Sequence, residues 1–291
     1  MYVAVVIILV AVGTVVFHFM SPWWWTPIAS NWGFMDTTIL ITFWITGVVF
    51  VAVILFMAYC VLRFRYQEGR RAEYKPEDKK LEWWLTGLTA VGVAGMLIPG
   101  LFVWNQFVNV PPEATEIEVL GQQWQWSFRY PGKDGVLGTT NIRLISDDNP
   151  FGLDPKDANG QDDVLVEGDD LHMPIGAPIK VLLRSLDVLH DFYVPQFRAK
   201  MDMVPGMVTF FWLTPTRSGT FDILCFELCG VGHHAMRGNV VVEAKDAFEA
   251  WMGEQETFAQ TMARAGSGAK NPTNLALNTA RSVAAEKQPA K

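Results

Sequence analysis

Three uncharged apolar stretches constrain this chain more than any other feature of it. Residues 2 to 20, 37 to 62 and 83 to 107 contain no Asp, Glu, Lys or Arg. Each is long enough, at about 1.5 Å per helical residue, to cross about 30 Å of hydrocarbon. Half of the 291 residues are hydrophobic, with 12 Trp and 19 Phe, a greasier composition than a water-soluble domain needs. The chain is therefore expected to be an integral membrane protein.

The first window lacks the basic leader and the small-residue cleavage site of a signal peptide. The expectation is a retained helix over residues 1–20, with a cleaved signal as the alternative. Trp23, Trp24 and Trp25 follow at once, where indoles suit the interface between lipid and water. The other two windows read as a helical hairpin over residues 36–107. Pro99 interrupts the second arm, which a membrane helix tolerates when neighbours satisfy the freed carbonyl. Arg63, Arg65, Arg70, Arg71, Lys75, Lys79 and Lys80 crowd the loop at 63–82. Positive loops stay in the cytoplasm, so everything after about residue 108 is expected outside, in the periplasm of a bacterial inner membrane, where the milieu is oxidising.

From residue 110 the periodicity changes. TEIEVL, QWQWSFRY, PIKVLLRSL, MVTFFWLTP, GTFDILC and GNVVVE are short runs rich in β-branched and aromatic residues, divided by Gly, Pro and Asp turns. They predict an all-β Greek-key domain over 110–245. Residues 246–265 read as one amphipathic helix, and 266–291, small and polar, as a disordered tail. The net charge is −7, which gives nucleic acid nothing to bind. The stretch from Asp147 to Asp170 is rich in acids, with Lys156 as its lone cation. It reads as a solvated loop, as a landing surface for a basic partner, or, out of EF-hand register, as a calcium loop.

The chemistry is concentrated in CFELCGVGHHAM, residues 225 to 236. Cys225 and Cys229 offer thiolates, His233 an imidazole and Met236 a thioether. Hard oxygen-seeking ions have no use for that set; a thioether beside thiolates and imidazole selects copper over zinc. Two sulfurs on one loop can bridge a pair of metals, and such a core needs one more imidazole, from His172 or from His190 at the end of a predicted strand. A Cys225–Cys229 disulfide is the competing reading, and it leaves His233 and Met236 unexplained. No C-x-x-C-H motif is present for a c-type haem. His234 reads as a surface neighbour, and Cys60 as a packing residue of the second helix.

The motif C-x-E-x-C-x3-H-x2-M, with His190 upstream, the helix hairpin and the aromatic strand GQQWQWSFRYP, resembles subunit II of the haem–copper respiratory oxidases. That is the cytochrome c oxidase subunit with the dinuclear CuA centre, and the resemblance runs from about residue 35 to 245. It implies a cupredoxin-like domain holding two copper ions. Cys225 and Cys229 would bridge them, His190 and Met236 would complete one, and His233 with the main-chain carbonyl of Glu227 the other. The Glu227 side chain would face a magnesium or manganese ion at the boundary with the catalytic subunit, near Asp187. Trp124 would be the exposed indole where an electron arrives from cytochrome c, with Trp126 next along the same face. Glu82 matches the acid at the mouth of a proton channel. The implied partners are catalytic subunit I, which alone holds haem, other oxidase subunits, cytochrome c and membrane lipid.

Phe226, Met207 and the extra N-terminal helix depart from the family pattern. Met207 stands where many members carry Arg, which puts contacts to the haem propionates in doubt. Two alternatives are a CuA subunit of a nitric oxide reductase of the same superfamily and, from another class, a membrane-anchored copper chaperone or thiol oxidoreductase. The latter would read as βαβ units behind a single anchor.

Overall fold

A computed structural model of the protein describes residues 2–21, 26–71 and 73–266. The three tryptophans at 23 to 25 and the tail expected to be disordered (from 267 onward) lie outside the described residues. Two units share the chain: one takes residues 1–27 and 33–106, the other 28–32 together with 107 onward.

The first unit holds α1 (Tyr2–Met20), α2 (Gly33–Arg63) and most of α3 (Lys79–Val108). All three are long and apolar enough to cross a membrane. Their side chains are largely exposed; Ala4, Ala11 and Ala58 are the buried exceptions, small residues of the kind that let neighbouring helical backbones approach. Pro99 sits inside α3 without ending it. The start of α3 is set by Asp78, whose carboxylate accepts the Leu81 N–H at 3.1 Å, satisfying one of the free donors of a first helical turn.

The second unit is a β-sandwich of two five-stranded sheets. One runs β3 (Val164–Glu167), β2 (Gln125–Tyr130), β1 (Thr115–Gln122), β5 (Ile179–Ser185), β8 (Thr209–Leu213). The other runs β4 (Leu171–Pro174), β10 (Arg237–Glu243), β9 (Gly219–Cys225), β6 (His190–Val194), β7 (Ala199–Met203). Trp126 and Phe211 of the first sheet meet Phe192 of the second at ring distances of 5.6 and 6.0 Å. These rings mark the shared core. Four strands, β3, β4, β6 and β7, are not among the runs read from the sequence; each has four or five residues, and none carries a run of apolar residues like that of the equally short β8.

β1 is the pivot of its sheet. It pairs antiparallel with β2 and parallel with β5, and this register sets buried Glu118 opposite buried Arg129. Arg129 Nη2 meets Glu118 at 2.7 Å and its Nη1 meets Asp163 at 3.2 Å, while Arg184 reaches Glu118 at 2.9 Å. Ions this deep are tolerable because each finds an opposite charge. Asp163 also ties down the acidic excursion, accepting the Gly138 N–H at 3.0 Å. Asp154 and Asp157 accept the N–H groups of Lys156 and Asn159, and Asp157 also accepts that of Thr139 at 2.7 Å.

Residues 28–32 belong to this unit although α2 and α3 separate them from it in sequence. Trp32, 1% exposed, donates its indole N–H to the Trp212 carbonyl at 2.9 Å and lies between the Trp212 and Phe107 rings.

The single helix expected at 246–265 is two helices, α4 (Lys245–Glu254) and α5 (Phe258–Gly266). The cause is local. Gln260 Oε1 accepts the Thr257 N–H at 2.8 Å while Thr257 Oγ1 accepts the Gln260 N–H at 3.4 Å, a capping box that starts a new helix at that point. Thr257 also bridges to Val164 of β3, so the break turns α5 onto the sandwich.

Candidate metal centre

Three segments converge at one end of the sandwich: the β1–β2 turn, the stretch entering β6, and the loop after β9. Cys225 closes β9, and its N–H donates to the Met236 carbonyl at 3.3 Å, which closes the loop on itself. A 3-10 turn over His233–Ala235 follows. Side chains three apart nearly eclipse in such a turn. The geometry therefore aims His233 and Met236 the same way and leaves His234 exposed between them. The spacing H-x2-M has its physical reason here.

The donor atoms face one another. Cys225 Sγ is 3.7 Å from Cys229 Sγ, 3.8 Å from His190 Nδ1 and 3.2 Å from the Glu227 carbonyl oxygen. Cys229 Sγ is 3.6 Å from His233 Nδ1 and 3.8 Å from Met236 Sδ. Two ligands held about 2.0 to 2.3 Å from one tetrahedral ion stand about 3.3 to 3.8 Å apart, so the separations of 3.6 to 3.8 Å fit donors around a small ion. The sulfurs are unbonded to each other. Cys229, Met236 and His190 are all buried. Two thiols, two imidazoles, a thioether and a carbonyl form a soft donor set that fits copper.

His190 opens strand β6, whereas the sequence suggests the end of a strand. Its Nε2 meets Asp187 Oδ1 at 2.8 Å, so the ring turns Nδ1 to the sulfurs. Asp187 Oδ2 in turn accepts the Gln123 N–H at 2.7 Å. His172, the other candidate imidazole, is engaged elsewhere: Nδ1 meets Glu243 at 2.7 Å and the ring stacks on Trp251 at 4.0 Å.

Charge at the site is shared unevenly. Burial alone would push the Cys225 thiol up, but His190, then backbone hydrogen bonds at Asp191 and Glu227 and the His233 ring, outweigh that and draw it down to about 6. Cys229 goes the other way, pushed up to about 11 by burial and then by its neighbour Cys225. The first proton leaves the pair readily and the second is held until a cation takes its place. Asp187 is drawn down despite burial, by the Gln123 N–H and then by His190.

Trp124 does not lie on the strand. Gln122 pairs with Gln125, which puts Gln123 and Trp124 in a two-residue turn, so strand alternation cannot carry the face of Trp126 over to Trp124. The two indoles are differently placed: Trp126 is buried against His190 and Phe192, whereas Trp124 is 37% exposed. Trp124 Nε1 donates to the Cys229 carbonyl at 3.2 Å, beside Gln123 Nε2 at 2.8 Å.

Two glycines that sequence reasoning passed over make this possible. A Cβ at Gly232 would stand 2.3 Å from Trp124 Cδ2, so the indole lies flat on a bare α-carbon. Gly230 has φ +115°, a region L side chains rarely adopt. Phe226 is exposed, edge-on to Tyr193 at 5.0 Å and beneath Lys200 Nζ at 5.4 Å. Glu227 is exposed, and Glu82 lies in the first turn of α3, in the other unit. Among the described residues only 3-10 turns lie between β1 and β10, so the βαβ plan of a thiol oxidoreductase is not present.

Comparison with known proteins identifies the family. Residues 115–245 match the family described as cytochrome c oxidase subunit II, periplasmic domain. The chain is 67% identical over 259 residues, 89% of its length and 94% of the relative, to the alternative cytochrome c oxidase subunit 2 of Bradyrhizobium diazoefficiens. It is 26% identical over 238 residues, 78% of the chain and 77% of the relative, to cytochrome c oxidase subunit 2 of Cereibacter sphaeroides. A crystal structure of the periplasmic domain of cytochrome oxidase subunit II from Bradyrhizobium japonicum covers 50% of the chain and 95% of its own length, at 28% identity and a TM-score of 0.37. By the first of these relatives, and by the family match over its β unit, the chain belongs to the cytochrome c oxidase subunit II family.

Proposed function

We propose that this chain takes electrons one at a time from cytochrome c and delivers them to a haem of the catalytic subunit, where oxygen is reduced to water. The observation that carries the reading is the donor set gathered around Cys225 and Cys229 at separations of 3.6 to 3.8 Å. Cys225 and Cys229 would bridge two copper ions, with His190 and Met236 completing one, and His233 and the Glu227 carbonyl the other. Copper bound there supplies a one-electron couple.

The protein supplies everything else. Buried Cys229, Met236 and His190 keep water from the ligands, and Asp187 fixes which imidazole nitrogen faces the sulfurs. Trp124 offers an exposed ring joined by one hydrogen bond to the backbone of Cys229, a short route from surface to ligand. The exposed Glu227 carboxylate is free to meet a magnesium or manganese ion at the boundary with the catalytic subunit. Glu82, at the start of α3, would stand at the mouth of a proton channel. The three apolar helices would anchor the chain in the bacterial inner membrane with the β unit in the periplasm.

The test is paramagnetic resonance on the copper-loaded oxidase. An unpaired electron shared over two near-equivalent coppers is expected; a signal confined to one copper, or zinc in its place, overturns the reading. Trp124→Ala should slow reduction by cytochrome c without loss of copper. Uptake of nitric oxide in place of oxygen would move the chain to the nitric oxide reductase branch.

A further inference from the structure

Helix α5 packs against an apolar cluster beside Leu120 of β1 and Leu186, and the metal centre as described makes no use of it. Phe258, fully buried, forms a cluster with Leu120, Phe151 and Leu153, and Leu186 and Met262 pack against it. The helix is held there by main-chain bonds: the Phe258 N–H donates to the Asp163 carbonyl at 2.7 Å and the Ala259 N–H to the Gln161 carbonyl at 3.0 Å. Residues 258 to 266 lie beyond the stretch that matches the family.

Two members of that cluster lead directly to His190. Leu120 precedes Gly121 on β1, and neighbouring strand residues face opposite sides. With Leu120 in the α5 cluster, Gly121 faces the sandwich interior. There its bare α-carbon supports the imidazole: a Cβ would stand 3.2 Å from His190 Cδ2. Leu186 precedes Asp187, whose carboxylate meets His190 Nε2. The Leu186 N–H donates to the Gly121 carbonyl at 3.1 Å, joining the two supports. One apolar cluster therefore backs both the surface His190 lies on and the group that orients it.

We infer that α5, through Phe258, is a brace that holds His190 in its ligating position by way of Leu120–Gly121 and Leu186–Asp187. Phe258 is a positioning residue. The inference rests on the copper reading above only for its metal readout; the brace itself is a property of the metal-free chain.

The experiment uses the full-length chain carrying Phe258→Ala, Phe258→Leu or Leu171→Ala, the last a control that opens a hole in edge strand β4. Hydrogen exchange on the metal-free chain reads the amides of residues 121 to 123 and 186 to 190. Retention of copper against a chelator reads the loaded chain. Phe258→Ala is expected to accelerate exchange selectively at those amides and to weaken copper retention about tenfold, the low end for loss of a group that orients a ligand. Phe258→Leu should restore both toward wild type. Leu171→Ala should lower thermal stability yet leave those amides and copper retention unchanged.

Unchanged exchange at those amides in Phe258→Ala, or the same pattern in Leu171→Ala, overturns the brace. Should Phe258→Ala not accumulate, Met262→Ala is read in the same way, with a smaller effect in the same direction expected and no effect counting against. A wild-type chain that takes up no copper overturns the copper reading, while the exchange data still judge the brace.

Discussion

Asp187 accepts from His190 Nε2 at 2.8 Å while the Nδ1 of the same ring faces Cys225 Sγ at 3.8 Å. One carboxylate thus decides which nitrogen of a buried histidine a metal can use. Replacing Asp187 with Asn keeps the shape and removes the charge. Copper affinity is expected to fall about 10- to 100-fold. The oxidised centre loses the most from a missing negative charge, so its reduction potential should rise, by about 60 mV for each tenfold of differential affinity in a one-electron couple. Redox titration of the copper-loaded protein measures both.

Gly232 tests the path into the site. Alanine there would force the indole of Trp124 off the loop, because the new Cβ would overlap its ring. On the function proposed above, electron transfer from cytochrome c should slow by about tenfold or more, equivalent to about 1.4 kcal/mol of barrier, with copper content unchanged. Stopped-flow reduction beside metal analysis distinguishes this from a site that no longer binds metal.

The buried network of Glu118, Arg129, Arg184 and Asp163 should behave as a unit. Glu118→Ala leaves Arg129 and Arg184 short of a partner in a site with almost no solvent. A loss of about 3–5 kcal/mol is expected, read by denaturant unfolding of the β unit in the intact chain.

Glu167 supplies a pH dependence away from the metal. Burial, then the like charges of Asp148 and Asp147, push its carboxyl from 4.5 up to about 7. Between those values the folded chain holds a proton that the unfolded chain has released. Its contribution therefore makes stability fall as pH rises through that window and level off above it. Glu167→Gln should remove roughly one proton's worth of that slope, measured as unfolding midpoint against pH.

The loop at 225 to 236 was largely legible in the sequence because its chemistry is local: residue types and spacings already separate His233 from His234, and the 3-10 turn supplies the reason. The long helices were legible for a similar reason, since a solvent as uniform as hydrocarbon imposes a simple pattern. Trp124 was placed correctly as an exposed ring but on the wrong element, because QWQW alternates like a strand across what is a turn. Strands β3, β4, β6 and β7 were hidden because they are short and mix polar with apolar residues, and the split of α4 from α5 was overlooked although Thr257 and Gln260 spell it out. The pairing of Glu118 with Arg129 and the backing of His190 by α5 depend on register across distant segments, which no local pattern encodes.

Trp32 has a practical consequence. The β unit is discontinuous: five of its residues are synthesised before α2 and the rest from Phe107, at the end of α3, onward. A recombinant fragment cut to start at Phe107 would look like a tidy domain yet lack the indole that packs against both Trp212 and Phe107. Such a fragment should be less stable and stickier than the intact chain, and supplying residues 28–32 as a tethered peptide is the natural remedy.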